Sequence, residues 1–172
     1  TFRIMKTIIT FCLLFFAFLP AYGQGHPDLL TGKVRELFDK GTKCWNEGGE
    51  NCISYYQEAY RLEKKLKQNC LGCIEVELGK SYSYLEKYDT AKYYLNLAQQ
   101  SLKKMDYSDT RVKFLDAEIQ NNIAMNFYFI GKIDSAIVYL KKNVEIIDKT
   151  GNKKSSALAK INLASIYASV ND

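Results

Sequence analysis

Proline is almost absent from this sequence. Of 172 residues only Pro20 and Pro27 are proline, so everything after residue 27 is free of the residue that interrupts helices most strongly. Histidine is scarcer still, with His26 alone. One imidazole close to the N-terminus excludes Ser-His and Cys-His nucleophile pairs and most zinc hydrolase sites, which need that group inside a folded site. The glycine motifs that cradle phosphates or dinucleotides are missing, as is the paired-histidine zinc protease motif. Carboxylate pairs such as Glu75 and Glu77 recur at helix-surface spacing and are expected to be solvated charge. The chain is therefore not expected to be an enzyme, and no cofactor or metal is expected.

Charge of one sign is not concentrated anywhere. The formal net charge is +5, but Arg3 and Lys6 lie in an acid-free leader, and the remaining 22 basic and 19 acidic side chains alternate along the chain. Nucleic acid and anionic membranes both require a concentrated basic face, so this segment is expected to bind neither.

Only one long apolar run occurs, from Ile8 to Leu19, preceded by Met5-Lys6 and followed by Pro20-Ala21-Tyr22-Gly23-Gln24. A basic start, an apolar core of about a dozen residues and a small-residue cleavage site make a secretory signal peptide. The run falls short of the roughly 20 apolar residues of a spanning helix. Cys12 lies inside the core rather than after the cleavage site, which disfavours lipid anchoring there. Residues 1–23 are thus expected to be a signal peptide starting at Met5, with a buried N-terminal helix as the alternative. Residues 24–29 are expected to be a flexible N-terminus. The protein is then exported, to the periplasm or another extracytoplasmic space.

What the chain has in quantity is Leu, Lys, Glu, Ala and 13 tyrosines, within 47% hydrophobic and 25% charged residues. This composition predicts an all-α body. A recurring pattern runs through it. Leu78-Gly79-Lys80-Ser81-Tyr82, Ile123-Ala124-Met125-Asn126-Phe127 and Leu163-Ala164-Ser165-Ile166-Tyr167 each read aliphatic, small, two variable residues, aromatic. Ala91, Leu95 and Ala98 follow the first, and Ala136, Leu140 and Asn143 follow the second at the same distance. A small residue on one helix lets a second helix approach at another small residue, while the aliphatic and aromatic residues fill the flanks. A weaker unit precedes them, with Leu37, Gly41 and Trp45, a turn at Asn46 to Gly49, then Cys52, Tyr56 and Ala59.

These residues resemble the tetratricopeptide repeat, whose helix-turn-helix signature runs L-G-x-x-Y, a turn, then A-x-x-F/Y/L-x-x-A. The resemblance covers residues 30–172. It implies a right-handed α-solenoid of about three and a half units. Gly131 falls at the family's turn glycine, Glu86 replaces that glycine one unit earlier, and Asp89 and Asp134 are placed as N-caps of second helices. The steps Gly41–Gly79, Gly79–Ala124 and Ala124–Ala164 are 38, 45 and 40 residues, against the family's 34. The extra residues are expected to lengthen helices, chiefly between Gln99 and Leu115. Longer units are similar to those found N-terminal to some bacterial membrane sensor kinases and regulators. The last unit stops before its second helix, so the domain is expected to be truncated at its C-terminal end, with a membrane tether possible in missing sequence.

Four cysteines follow the leader: Cys44, Cys52, Cys70 and Cys73. An even count in an exported chain favours disulfides. A four-cysteine zinc site is disfavoured, because Cys44 and Cys52 flank the first turn while Cys70 and Cys73 lie beyond the second helix, about 25 Å away. Two local pairs are expected, Cys44–Cys52 stapling the first hairpin; four reduced core cysteines and a redox pair at Cys70 and Cys73 remain alternatives.

The resemblance also implies a concave groove lined by the first helices. Its positions are Val76, Glu77, Lys80, Ser83 and Tyr84, then Asn121, Asn122, Met125, Tyr128 and Phe129, then Ile161, Asn162 and Ser165. Asn122 and Asn162 sit where peptide-binding members hold an asparagine whose amide pairs with a peptide backbone. Polar lining without a ligand is the alternative for both, and packing between units is the alternative for Tyr128 or Phe129. The expected function is an extracytoplasmic scaffold that binds a protein or peptide, as the sensory N-terminal part of a larger signalling protein. An exported redox or enzyme-accessory protein and a freestanding secreted adaptor are the alternatives.

Overall fold

The computed structural model of the protein describes residues 29–67 and 70–170. The expected signal peptide with Cys12, and His26 in the segment after it, lie outside the described residues. All regular structure among the described residues is helical: α1 (Gly32–Asn46), α2 (Ile53–Leu66), α3 (Leu71–Tyr84), α4 (Tyr88–Leu102), α5 (Thr110–Phe129), α6 (Ile133–Asp148) and α7 (Lys153–Val170). Among the described residues no helix is long and apolar enough to cross a membrane.

Two kinds of helix alternate. In α2, α4 and α6 the buried residues fall on one stripe: Tyr56, Ala59 and Glu63; Ala91, Leu95 and Ala98; Ala136, Leu140, Asn143 and Ile147. These are helices with one dry face and one wet face. By contrast, α3 buries every residue from Gly72 to Gly79, and α5 buries Leu115 to Asn121 without interruption. A helix buried all round must be covered from several sides. Among the described residues each helix packs on the next, and α3 additionally packs on α5. The inner pair α3 and α5 is thus flanked by the one-faced helices.

The same small-on-large contact recurs in successive hairpins. Gly79 faces Leu95 so closely that a Cβ on Gly79 would lie 2.6 Å from Leu95 Cγ and 3.3 Å from the Ala91 carbonyl oxygen. Ala124, Ala136 and Leu140 form the corresponding buried set in the next hairpin. An aromatic pair closes each of these hairpins. Tyr82 stacks on Tyr94 with centroids 5.4 Å apart, and Phe127 stacks on Tyr139 at 5.5 Å. In the first hairpin Cys44 holds the position of that inner aromatic, and it is disulfide-bonded to Cys52, with Cα atoms 5.4 Å apart. Cys70 and Cys73 also lie at disulfide distance.

The three turns inside these hairpins share one geometry. Gly48, Glu86 and Gly131 adopt left-handed φ of 68°, 56° and 76°. The next amide in each case donates back five residues: Gly49 to Cys44, Lys87 to Tyr82 and Lys132 to Phe127, at 2.9 Å each. This is the Schellman closure of a helix C-terminus, which favours glycine at the left-handed residue. Glu86 adopts it against the usual Cβ penalty of about 1–2 kcal/mol, and its side chain is exposed. Glu86→Gly is therefore expected to stabilise the protein by about 0.5–1 kcal/mol, and Gly131→Glu to destabilise it by about 1 kcal/mol. Guanidinium unfolding midpoints check the pair; a Glu86→Gly protein less stable than the parent would overturn the turn assignment.

Three details depart from the sequence-based expectation. Asp89 and Asp134 are not N-caps: Lys87 and Lys132 hold the caps, and the two aspartates are in the first turn. There they favour the helix through its dipole rather than by capping. The extra residues of the long step do not only lengthen helices. Residues 103–109 form an irregular connection, and α5 is 20 residues long against 14 for α3. Asp109 caps α5, its side chain accepting from the Arg111 amide at 2.8 Å. Ala164 is exposed rather than packed, and Tyr167 is 39% exposed, whereas Ile166 is fully buried against the Ala136–Leu140 set. Leu163 is half-buried there.

Candidate functional site

The inner helices place polar groups where an all-round buried helix would ordinarily be apolar. On α3, Glu77, Lys80 and Tyr84 stand at helical spacings of three and four, along one face. Lys80 Nζ lies 3.2 Å from Glu77 Oε2. Burial pulls the Lys80 ammonium down, but the carboxylates of Glu77 and of Glu118 on α5 outweigh it and hold its pKa above the usual value. The cation therefore sits between acids from two adjacent inner helices. Beside it, Tyr84 stacks on Trp45 of α1 with centroids 5.5 Å apart and remains 39% exposed. Its hydroxyl is pushed up to about 12, chiefly by burial. Lys80, Tyr84 and Trp45 thus form one half-open patch across α1 and α3, with Glu118 of α5 beside it.

The groove residues of α5 divide. Asn121 is 2% exposed and Met125 9%, so both belong to the interior. Asn122 is half-buried, and its amide nitrogen donates to the Glu118 carbonyl oxygen at 2.9 Å in its own helix. Tyr128 and Phe129 are half-buried; Phe129 lies against Tyr88 of α4 and, edge-on, against Tyr128. On α7, Ser165 Oγ donates to the Ile161 carbonyl oxygen at 2.9 Å. Asn162 is 1% exposed, with neither side-chain polar atom hydrogen-bonded to a described residue. The expectation that Asn162 presents its amide to an open groove is thus corrected. The helix rotation set by Ile166 and Ala159, both fully buried, carries Asn162 inward, whereas half-buried Asn122 gives one of its two amide N–H groups to a backbone carbonyl.

Glu75 and Glu77 are likewise not solvated: they are 2% and 7% exposed. Both faces of α3 are covered, so their one-three spacing keeps neither in water. Glu75 Oε2 accepts from Ser101 Oγ of α4 at 2.6 Å. Burial raises its pKa above the ordinary 4.5, against the lowering hydrogen bonds of Ser101 and Tyr60. A raised carboxyl pKa means that the folded state holds the proton more tightly than the unfolded chain. Stability is then greatest below the unfolded value and falls as pH rises through the folded one. Glu75→Gln is expected to remove this loss, so its melting temperature relative to the parent should increase as pH rises upward from 4.5. Melting curves from pH 4 to 8 check it; a constant difference would refute the buried-carboxylate account.

Residues of evident structural weight went unnoticed in the sequence. Asn126 ties three helices: Ser83 Oγ of α3 donates to its Oδ1 at 3.2 Å, and its amide nitrogen donates to the Tyr88 carbonyl oxygen of α4 at 3.3 Å. Glu118 completes the environment of Lys80. Their signal was faint: a polar residue at each of two positions that a helix buried all round should keep apolar. Among the described residues no group of His, Cys, Asp and Glu is placed to hold a metal ion. No family model matches the chain, and neither a curated protein nor a solved structure does.

Proposed function

We propose that this chain is an extracytoplasmic scaffold of tetratricopeptide-like hairpins, arranged as a right-handed α-solenoid, that binds an extended segment of a partner protein. We place the contact on the face shared by α1, α3 and α5 and regard the chain as the sensory N-terminal part of a larger signalling protein. The observation that carries the binding assignment is the patch formed by the Trp45–Tyr84 stack and Lys80 between Glu77 and Glu118. A half-open aromatic surface beside a partly desolvated charge is where anchoring side chains contribute most to affinity. The repeated turns and small-on-large contacts support the hairpin family, and the two cysteine pairs support an oxidising compartment. Exchange chemistry at Cys70 and Cys73 has less support, because both residues are at most 1% exposed and an attacking thiolate needs access.

The test needs a partner, which affinity capture on the exported chain from its own cell envelope would supply, followed by quantitative binding. Tyr84→Ala and Lys80→Ala should each weaken that partner's binding by about tenfold or more, near 1.4 kcal/mol. Tyr93→Ala, at a side chain 59% exposed on α4, serves as the control and should leave affinity unchanged. Loss of binding in the Tyr93 variant with normal binding in the Tyr84 and Lys80 variants would overturn the assignment.

A further inference from the structure

A cavity of about 420 Å³ opens between the C-terminal ends of α2 and α4 and the start of α5. It shares no residue with the patch on α3. Its apolar wall includes Leu29, Leu71, Met105 and Val112. Among the lining residues is Glu63, which is 1% exposed. Glu63 Oε1 accepts from the Cys70 amide at 3.1 Å, whereas Oε2 is buried and has no hydrogen-bond partner among the described residues. A buried carboxylate oxygen without a donor is costly, and a ligand that brings one recovers that cost.

The remaining charges narrow the ligand. The lining carries three basic residues, Lys64, Lys67 and Lys104, and three acidic ones, Glu63, Asp106 and Asp109, so it is balanced overall. Asp106 and Asp109 are committed to their own loop, accepting from the amides of Ser108 and Arg111. Lys64 lies over the Tyr60 ring at 5.5 Å. That leaves Glu63 as the acceptor for a cationic group and Lys67 and Lys104 as the donors for an anionic one. Neither lysine is in an ion pair with another described residue.

We propose that this cavity binds a zwitterion of the α-amino-acid type with an apolar side chain, either free or as a dipeptide. The ammonium donates to Glu63 Oε2, the carboxylate meets Lys67 and Lys104, and the side chain lies against Leu71, Met105 and Val112. The volume lies within the range of small-ligand sites.

Calorimetric titration of the oxidised full chain with four probes tests this. L-leucine or leucyl-leucine should bind, and whichever is tighter sets the ligand's length. N-acetyl-leucine, lacking the ammonium, and 3-methylbutylamine, lacking the carboxylate, should bind at least tenfold more weakly. Glu63→Gln keeps the acceptor for the Cys70 amide and should weaken leucine or leucyl-leucine at least tenfold. Should that variant fail to fold, Lys104→Met at the exposed rim tests the anionic end with the same expected loss. Amide shifts on binding should centre on Leu71, Met105 and Val112. The proposal is overturned if neither zwitterion binds up to on the order of 10 mM, if N-acetyl-leucine binds as well as leucine, or if the shifts centre on Lys80 and Tyr84.

Discussion

Removing the Cys44–Cys52 bridge by Cys44→Ala/Cys52→Ala should destabilise the protein by about 2–3 kcal/mol, the loop-entropy value for so short a closed loop. The bridge closes a loop of sequence separation 8. It replaces, in the first hairpin, the aromatic pair that closes the other two. Alanine suits Cys52, because Ala91 and Ala136 occupy the equivalent buried positions in the next hairpins. The change in guanidinium unfolding midpoint reads the bridge with Cys70 and Cys73 left intact. Stability within about 0.5 kcal/mol of the parent would mean that the α1–α2 hairpin does not depend on its staple.

The second large effect lies at the contact of α3 with α4. Leu95→Ala should cost about 2–5 kcal/mol, since it empties a fully packed site. Gly79→Ala should cost about 1–3 kcal/mol, because the new Cβ arrives 2.6 Å from Leu95 Cγ and the helices must part. Combined, the two should cost clearly less than their sum, as the methyl group introduced at position 79 occupies space that the shortened side chain at position 95 has vacated. A double-mutant cycle measures the coupling. Strict additivity would show that Gly79 is small for a reason other than Leu95.

Gly79, Ala91 and Leu95 were legible as a set because close helix approach leaves a pattern of small and large residues at fixed spacing. Tyr82 belongs to that pattern too, but its stacking partner Tyr94 lies outside it. The candidate face was legible only in part. Lys80 and Tyr84 remain at its surface, but Asn121, Met125 and Asn162 are interior, and Asn122 is half-buried with one amide N–H given to its own helix. Spacing places a residue on a face; it does not say how many neighbours cover that face. Glu75 and Glu77 fail for the same reason. Charge normally marks the wet side of a helix, yet α3 has no wet side along most of its length. The lengthened α5 adds a further cause, because no periodicity distinguishes extra helix from the irregular 103–109 connection.

The placement of the cysteines on either side of α2 has a consequence for how the protein oxidises. The four thiols among the described residues allow three pairings, and the two incorrect ones both join Cys44 or Cys52 to Cys70 or Cys73. Those pairings must span α2, whose 14 residues reach about 21 Å once helical. The observed bridges span sequence separations of only 8 and 3. Formation of α2 therefore sorts the thiols before any long-range packing exists, and each bridge closes inside its own segment. Oxidative refolding should proceed through two independent single-bridge species and accumulate no scrambled isomer, with little need of an isomerase.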